Sequence, residues 1–183
     1  MKQCKFIKVG QGDERQMDNY KIACFDAYYR EDCAKTCCIL FETGTIEKNI
    51  LEYCKITRPT EKYIPGEFYK RELPGILEVY WEIKRDINLV IVDGYVLLKD
   101  GKIGLGGHLY RALEGRIPVI GVAKSYFVNS RNYIKVYRGE SNRPLYVSSI
   151  GIETGFAANL IKNLDGRYRI PNMLKRVDRL TRS

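Results

Sequence analysis

Two short apolar runs, LVIV at residues 89–92 and PVIGV at residues 118–122, most restrict what this chain can fold into. Each is rich in β-branched residues and lacks polar alternation, which is typical of a strand buried on both faces of a sheet. A short helical segment at residues 108–113 separates them. This strand–helix–strand unit predicts two parallel neighbouring strands joined by a right-handed crossover.

The residues before this unit predict three antiparallel strands and a helix. Strand-like runs occupy residues 21–29, 36–41 and 50–56, with brief connections. In residues 73–83 the apolar side chains follow helical spacing, and Pro74 would lie in the first turn of the helix. After the parallel unit come weaker strand signals at 134–137 and 145–149, a helical stripe at 156–164 and a basic helix at 172–182.

This order of elements predicts an α/β fold in which helices flank a mixed central sheet, and it is also the order found in the RNase H-like fold. The length of 183 residues favours a single domain over residues 1–183, with its core at about 20–182. No apolar run reaches membrane-spanning length, and the start MKQCKFIKVGQGDERQ is too polar for a signal peptide. We therefore expect a cytoplasmic protein with no membrane partner. A monomer is the default expectation, because no feature of the sequence indicates the oligomeric state.

Six cysteines raise the question of a metal site or disulfides. Cys33, Cys37 and Cys38 form a C-x3-C-C pattern without a second ligand pair, and His108, the only histidine, is distant in sequence. We therefore expect reduced structural thiols rather than zinc ligands.

The net charge of +9 is unevenly distributed along the chain. Residues 155–183 contain seven Lys and Arg against two acids, so this segment contributes +5. Such a surface either is simply solvated or attracts a polyanion such as nucleic acid.

Two aspartates occupy positions within strand-like runs that are otherwise apolar. Asp26 interrupts an apolar strand, and Asp93 ends the most hydrophobic strand of the chain. Burial of an unpaired carboxylate costs several kcal/mol, so each needs a compensating partner. Asp93, which is followed by Gly94, could simply cap a turn. If the two strands are adjacent, however, the carboxylates repel each other unless a proton or a cation lies between them. Oxygen ligands suit Mg²⁺ or Mn²⁺, and such sites support phosphodiester hydrolysis.

Glu72 precedes the predicted helix and could lean over the same strand ends as a third ligand. The alternative is an acid that merely stabilises the helix N-terminus. Nothing in the local sequence decides between the two.

Seven segments form a specific pattern along the chain: FDAYY (25–29), YIPGEFYKRE (63–72), LVIVDGY (89–95), GLGGHL (104–109), IPVIGVAKS (117–125), RPLYVS (143–148) and YRIPNMLKRVDRLTR (168–182). In this order and spacing, from about residue 20 to residue 182, the sequence resembles the endonuclease V family. The resemblance implies an RNase H-like domain that uses Mg²⁺, or Mn²⁺, to cut a strand of DNA or RNA 3′ of inosine.

The family match assigns roles to individual residues. Its three catalytic and metal-binding carboxylates match Asp26, Glu72 and Asp93, and its GVAK lysine matches Lys124, which suits a phosphate oxygen. The remaining assignments concern nucleic-acid and base binding: Gly121 and Gly66 as places where a base approaches the backbone, His108 in the GLGGHL segment, and Lys175, Arg176 and Arg179 on the basic helix.

The loop at residues 63–66 matches the family wedge that enters the duplex beside a flipped base. Tyr63, Ile64, Pro65 and Gly66 form a proline-stiffened aromatic loop, which could replace a departing base in the stack. The alternative is that Tyr63 and Ile64 plug the core beneath the following helix.

The sequence departs from the family where a metal-site side chain is expected after residue 148. Gly151 or Ile152 falls at that position, and neither side chain can bind a metal. Glu153 is the nearest acid and could replace the missing ligand, or it could cap a helix. Two other functions stay open: a non-catalytic nucleic-acid-binding module, and another RNase H-like nuclease such as a junction resolvase.

Overall fold

A computed structural model describes residues 20–30, 33–44, 48–58, 67–83 and 85–183. The wedge residues 63–66 lie outside these ranges. In the part that is described, the elements in chain order are β1 (Lys21–Tyr29), β2 (Ala34–Glu42), β3 (Lys48–Thr57), α1 (Phe68–Glu82), β4 (Leu89–Asp93), α2 (Leu105–Ala112), β5 (Val119–Ala123), β6 (Tyr133–Val136), β7 (Leu145–Ile150), α3 (Thr154–Asn163) and α4 (Asn172–Arg182).

The strands form one mixed sheet in the order β3-β2-β1-β4-β5-β7-β6. β1, β2 and β3 pair in antiparallel fashion, which confirms the three antiparallel strands that the sequence predicts. β4 lies parallel to both β1 and β5, which confirms the predicted parallel unit. β5 and β6 each pair antiparallel with β7.

Helices cover both faces of the sheet. Because side chains alternate along a strand, β1 sends Cys24 towards α3 and α4 and Phe25 towards α1 and α2. The other central strands divide in the same way, so two apolar layers form around a buried sheet. Within the described residues, no helix combines the length and apolarity that a membrane crossing requires.

Helix α1 starts earlier than the sequence pattern predicts. It begins at Phe68, so Pro74 lies inside the helix rather than in its first turn. The periodic apolar stripe starts only at Leu73, which explains why the first turn was missed. As a consequence, Glu72 is a helical residue of the second turn and not a residue of the preceding loop.

The prediction of reduced thiols is wrong for two cysteines. Cys37 on β2 and Cys54 on β3 form a disulfide. They are directly opposite each other in the antiparallel pair, which brings their side chains together on one face. Cys24 and Cys38 are buried free thiols, and Cys33 is half-buried.

Gly121 has a different role from the one expected. A Cβ at this position would lie 2.5 Å from the carbonyl oxygen of Gly94 and 3.0 Å from Oγ of Ser148. Ser148 Oγ in turn accepts a hydrogen bond of 3.0 Å from the backbone N–H of Val96. What approaches Gly121 closely is therefore the protein's own backbone after β4, and not open space for a base.

We predict that Gly121→Ala destabilises the fold by about 1–3 kcal/mol, because the new methyl group must displace the backbone that follows Asp93. Urea denaturation measures this change. Gly155→Ala is the matched control: its Cβ would meet only the flexible Glu153 side chain, at 3.3 Å, and alanine favours the helix. Equal stability of Gly121→Ala and wild type would contradict the packing described.

Candidate active site

Two neighbouring parallel strands bring Asp26 and Asp93 to the same edge of the sheet. The last register pair between β1 and β4 is Phe25 with Val92, so the two aspartates are the next residues along. Both follow the alternation of Cys24 and Ile91, and so point to the face covered by α4. The strand register explains why two acids that are 67 positions apart in sequence face one another.

Lys124 follows β5 at this same edge. Its Nζ lies 2.9 Å from Oδ2 of Asp93 and 3.8 Å from Oδ1 of Asp178. Burial by itself would lower the pKa of Lys124, but the charge and hydrogen bond of Asp93, together with the charge of Asp178, raise it. The lysine is therefore held as a cation between two carboxylates.

Asp178 is the acid that sequence reasoning missed. It lies on α4, where Arg182 donates to both of its carboxylate oxygens at 3.2 Å. This bonding lowers the pKa of Asp178 against the opposing effect of burial, and the Lys124 charge lowers it further. A signal was present in the sequence: Asp178 falls on the stripe that contains buried Val177 and Thr181, at helical spacing.

Thr181 fixes Asp26 from the same helix. The fully buried Thr181 Oγ1 donates a hydrogen bond of 2.9 Å to Oδ2 of Asp26. Burial raises the pKa of Asp26 and the charge of Asp93 adds to the rise, while the Thr181 hydrogen bond opposes it. The Thr181 hydrogen bond thus orients the Asp26 carboxylate but brings no positive charge to it.

Glu72 reaches this edge from α1, on the opposite face of the sheet. Its side chain is buried, at 6% exposure. Burial raises the pKa of Glu72 well above its usual range, and the charges of Asp26 and Asp93 raise it further. Tyr29 Oη donates 2.7 Å to the carbonyl of Arg71, and the Arg71 guanidinium lies 3.9 Å above the Tyr29 ring. These contacts tie the start of α1 to the end of β1 and so position Glu72.

A small cavity of ≈ 20 Å³ lies among these groups, large enough for about one water molecule. Asp26, Asp93, Lys124 and Asp178 line it, with the buried thiol of Cys24 beneath. Burial raises the pKa of Cys24 well above its usual range, and the neighbouring Cys38 raises it further. A neutral thiol therefore adds no further negative charge to the cluster of acids.

The donor set fits a hard divalent cation, because carboxylate oxygens are its preferred ligands and the cation would relieve their mutual repulsion. In the described ranges, however, no three acidic, histidine or cysteine side chains are gathered closely enough to hold a metal ion. Asp93 bonds to Lys124 instead, and Asp26 to Thr181. The carboxylates thus share an edge without converging on one point.

Glu153 does not belong to this cluster, which corrects its assignment as a fourth ligand. β7 runs antiparallel to β5, and its last residue, Ile150, pairs with Val119 at the start of β5. Glu153 therefore lies beyond the opposite edge of the sheet from Asp93. It is the exposed N-cap residue of α3, although its side chain makes no capping hydrogen bond.

An apolar cavity of ≈ 280 Å³ opens beside the acids. Gly94, directly after Asp93, is one of its walls, and aromatic and aliphatic residues of α1, of the following loops and of the start of α2 form the others. His108 does not line this cavity. It stacks behind the lining residue Tyr69, with ring centroids 3.4 Å apart and planes at 7°. Burial lowers the pKa of His108, and the Arg111 charge lowers it further, which favours a neutral ring in the stack.

The basic residues of α4 differ in their availability. Lys175 is exposed, with its Nζ 5.1 Å above the ring of Tyr168, and Arg179 is also exposed. Arg176, by contrast, pairs with Glu52 on β3, with 2.6 Å between Nε and Oε1. An ion partner on the protein itself makes Arg176 the weakest candidate of the three for a phosphate contact.

The sequence of this chain matches a known protein family. The family model for endonuclease V matches residues 7–141. The endonuclease V of Nostoc punctiforme is 27% identical over 154 residues, which cover 72% of this chain and 68% of the relative.

Two solved structures share the fold. Endonuclease V from Streptomyces avermitilis has a TM-score of 0.75 and 24% identity, covering 90% of this chain and 81% of that one. Endonuclease V from Ciona intestinalis, in complex with a 24mer DNA containing an inosine followed by a ribo-adenosine, has a TM-score of 0.72 and 16% identity, covering 90% and 85%. The predicted RNase H-like α/β fold is thereby confirmed. Because the family model matches well over half of its residues, the chain belongs to the endonuclease V family of nucleases.

Proposed function

We propose that this protein is a metal-dependent endonuclease that hydrolyses one phosphodiester bond 3′ of inosine in DNA or RNA. The observation that carries the proposal is the meeting of Asp26, Glu72, Asp93 and Lys124 at one edge of the sheet, from three strands and a helix. All four come from one chain, so a single copy suffices for the chemistry.

Asp26 and Asp93 would hold the divalent ion, Mg²⁺ or Mn²⁺, with Glu72 and Asp178 at its periphery. When bound, the ion supplies Lewis-acid polarisation of a phosphoryl oxygen. The repulsion between the Asp26 and Asp93 charges, which Lys124 offsets only in part, favours its binding.

Lys124 and Glu72 have separate tasks in this scheme. The charged amine of Lys124 can exchange its contact with Asp93 for a non-bridging phosphate oxygen, and thereby stabilise the negative charge that develops there. Glu72 has a raised pKa and a buried position close to the strand ends. A buried carboxyl group with a raised pKa is suited to accept and return a proton.

The apolar cavity of ≈ 280 Å³ is the proposed site for an extruded base. Its walls include Phe68, Tyr69 and Tyr95, so a flat purine can lie against rings while Gly94 leads directly to the acids. Extrusion costs least for a base that pairs poorly, which favours inosine over the normal purines. The wedge residues 63–66 immediately precede Glu67, the N-cap residue of α1, and would enter the gap left by the base.

A first prediction separates the two candidates for the fourth acid. Asp93→Asn should abolish Mg²⁺-dependent nicking of a duplex with one deoxyinosine, and Asp178→Asn should lower it roughly 10- to 100-fold, as loss of a supporting group does. Glu153→Gln, at the opposite edge, is the matched control and should cut like wild type. A gel assay with and without Mg²⁺ measures all three. Loss of cleavage in Glu153→Gln, with Asp178→Asn active, would reverse the assignment.

A second prediction follows from the raised pKa of Glu72. The stability contribution of such a group is fully present below its ordinary pKa of 4.5, and is lost as the pH rises through the higher folded-state pKa. Glu72→Gln should therefore raise the melting temperature of the metal-free protein at pH 8 but not at pH 4, and should reduce the further rise caused by Mg²⁺. Glu78→Gln, an exposed acid on the same helix, should show neither effect. Identical pH profiles for Glu72→Gln and wild type would contradict the burial argument.

A third prediction concerns the basic face of α4. Lys175→Ser with Arg179→Ser should reduce the slope of log affinity against log salt by about one for each phosphate that the wild-type side chains neutralise. Arg85→Ser with Arg116→Ser removes the same charge at the opposite edge and should leave the slope unchanged. Anisotropy titrations with an uncleaved duplex measure both slopes, and equal slopes for the two pairs would exclude α4 from the interface.

A further inference from the structure

A run of large apolar side chains stands exposed just beyond Lys124. Tyr126, Phe127 and Val128 are 54%, 44% and 59% exposed. Single exposed apolar residues are common, but three in succession form a patch of the kind that marks an interaction surface. The catalytic scheme uses neither Tyr126 nor Val128, and it uses Phe127 only as a wall of the cavity proposed for the base.

The backbone that carries this run is held firmly on both sides. Tyr95 Oη donates 3.0 Å to the carbonyl of Ser125. The N–H of Ser130 donates 2.9 Å to the carbonyl of Phe127, and the N–H of Lys99 donates 2.7 Å to that of Asn129. The exposed rings are therefore displayed on a fixed loop.

Tyr126 is the outermost member of a cluster of tyrosines. Its ring centroid lies 6.2 Å from that of Tyr133 on β6 and 5.9 Å from that of Tyr146 on β7, and the latter two lie 5.4 Å apart. The ring centroids of Tyr95 and Tyr133 lie 6.0 Å apart. Tilted and edge-to-face packing of this kind restrains the Tyr126 ring, so little conformational freedom remains to be lost on binding.

The run is continuous with the proposed catalytic site. It begins next to Lys124, which contacts Asp93, and Phe127 and Tyr95 both line the cavity of ≈ 280 Å³. A strand that enters the site can therefore pass over these rings.

The charge around the run favours a polyanion. Residues 124–143 contain five Lys and Arg against one acid. Arg131, Lys135 and Arg143 are exposed among them. Exposed rings interleaved with cations are the combination that binds single-stranded nucleic acid, since each base has a face to stack and each phosphate a charge to meet. Stacked pairs in a duplex offer no such free faces.

We propose that Tyr126, Phe127, Val128, Arg131 and Lys135, here called the aromatic–basic surface, bind unpaired nucleotides that flank the cleavage position by stacking. The inference rests on the proposed nuclease function for its place in the reaction.

The direct test is binding without cleavage. Fluorescence anisotropy measures binding of the metal-free protein to an oligothymidine of about 12 nucleotides, a length within the usual single-strand site sizes. This measurement reports on binding without cleavage. Tyr126→Ser with Phe127→Ser should lose roughly 5- to 150-fold in affinity for each base unstacked, which corresponds to ~1–3 kcal/mol per base. Trp81→Ser is the matched control, because this ring is 67% exposed on α1 and lies outside the surface. Tyr126→Trp should retain the affinity, since the larger ring also stacks.

Each outcome decides the matter. Unchanged affinity of the double variant overturns the proposal. A lower melting temperature of the double variant with unchanged affinity would mean that the run only shields the tyrosine cluster from water. This result would also overturn the proposal. Self-association of wild type that the double variant abolishes, measured by light scattering, would make the surface an interface between copies and overturn it as well.

Cleavage assays keep this inference separate from the nuclease proposal. Tyr126→Ser alone, which leaves the lining of the cavity intact, should nick a fully paired inosine duplex like wild type but cut an inosine-containing single strand more slowly. A wild type that cuts neither substrate would refute the nuclease function, and the oligothymidine titration would still decide whether the surface binds single strands.

Discussion

The arrangement of this protein depends on the mutual repulsion of carboxylates held at the end of a buried parallel sheet. Strand register forces Asp26 and Asp93 into adjacent, half-buried positions. Neighbouring carboxylates that are partly withdrawn from water repel each other unless a proton or a cation lies between them. The metal-free protein limits this repulsion with Lys124 and Thr181, each of which bonds to one of the two carboxylates. Both are single contacts that a cation and a phosphate can replace, which is what a hydrolytic site requires.

The two layers of helices complete this edge from opposite faces. Helix α4 contributes Asp178 and Thr181 from one side, while α1 contributes Glu72 from the other. The apolar cavity of ≈ 280 Å³ and the aromatic–basic surface border the same edge. Base, phosphate and flanking strand can thus be recognised by adjoining parts of one surface, and the opposite edge, with Glu153, is left to the packing of α3.

Several features were open to prediction from local pattern. Strand and helix periodicity identified the order of elements, and the isolated acids in apolar runs singled out Asp26 and Asp93. Other features depended on contacts between distant segments. The pairing of Cys37 with Cys54 requires the register of β2 against β3, and the close packing at Gly121 requires the path of the chain after β4. Neither can be inferred from spacing along the chain.

The two candidates for a fourth acid show most clearly what the sequence by itself determined about this protein and what only the tertiary structure decided. The amino-acid sequence determined the parallel unit, the strand acids and the family, because alternation, apolar runs and motifs are local properties. Only the tertiary structure decided which of Glu153 and Asp178 lies beside the strand acids. Glu153 lies nearer in sequence to the expected position, but the antiparallel course of β7 carries it to the far edge of the sheet. Asp178 lies in a basic helix, and packing of that helix across the strand ends brings its carboxylate to Lys124. How close two residues lie in the folded protein depends on strand direction and on helix packing. Burial of the whole core, rather than any one segment, decides both.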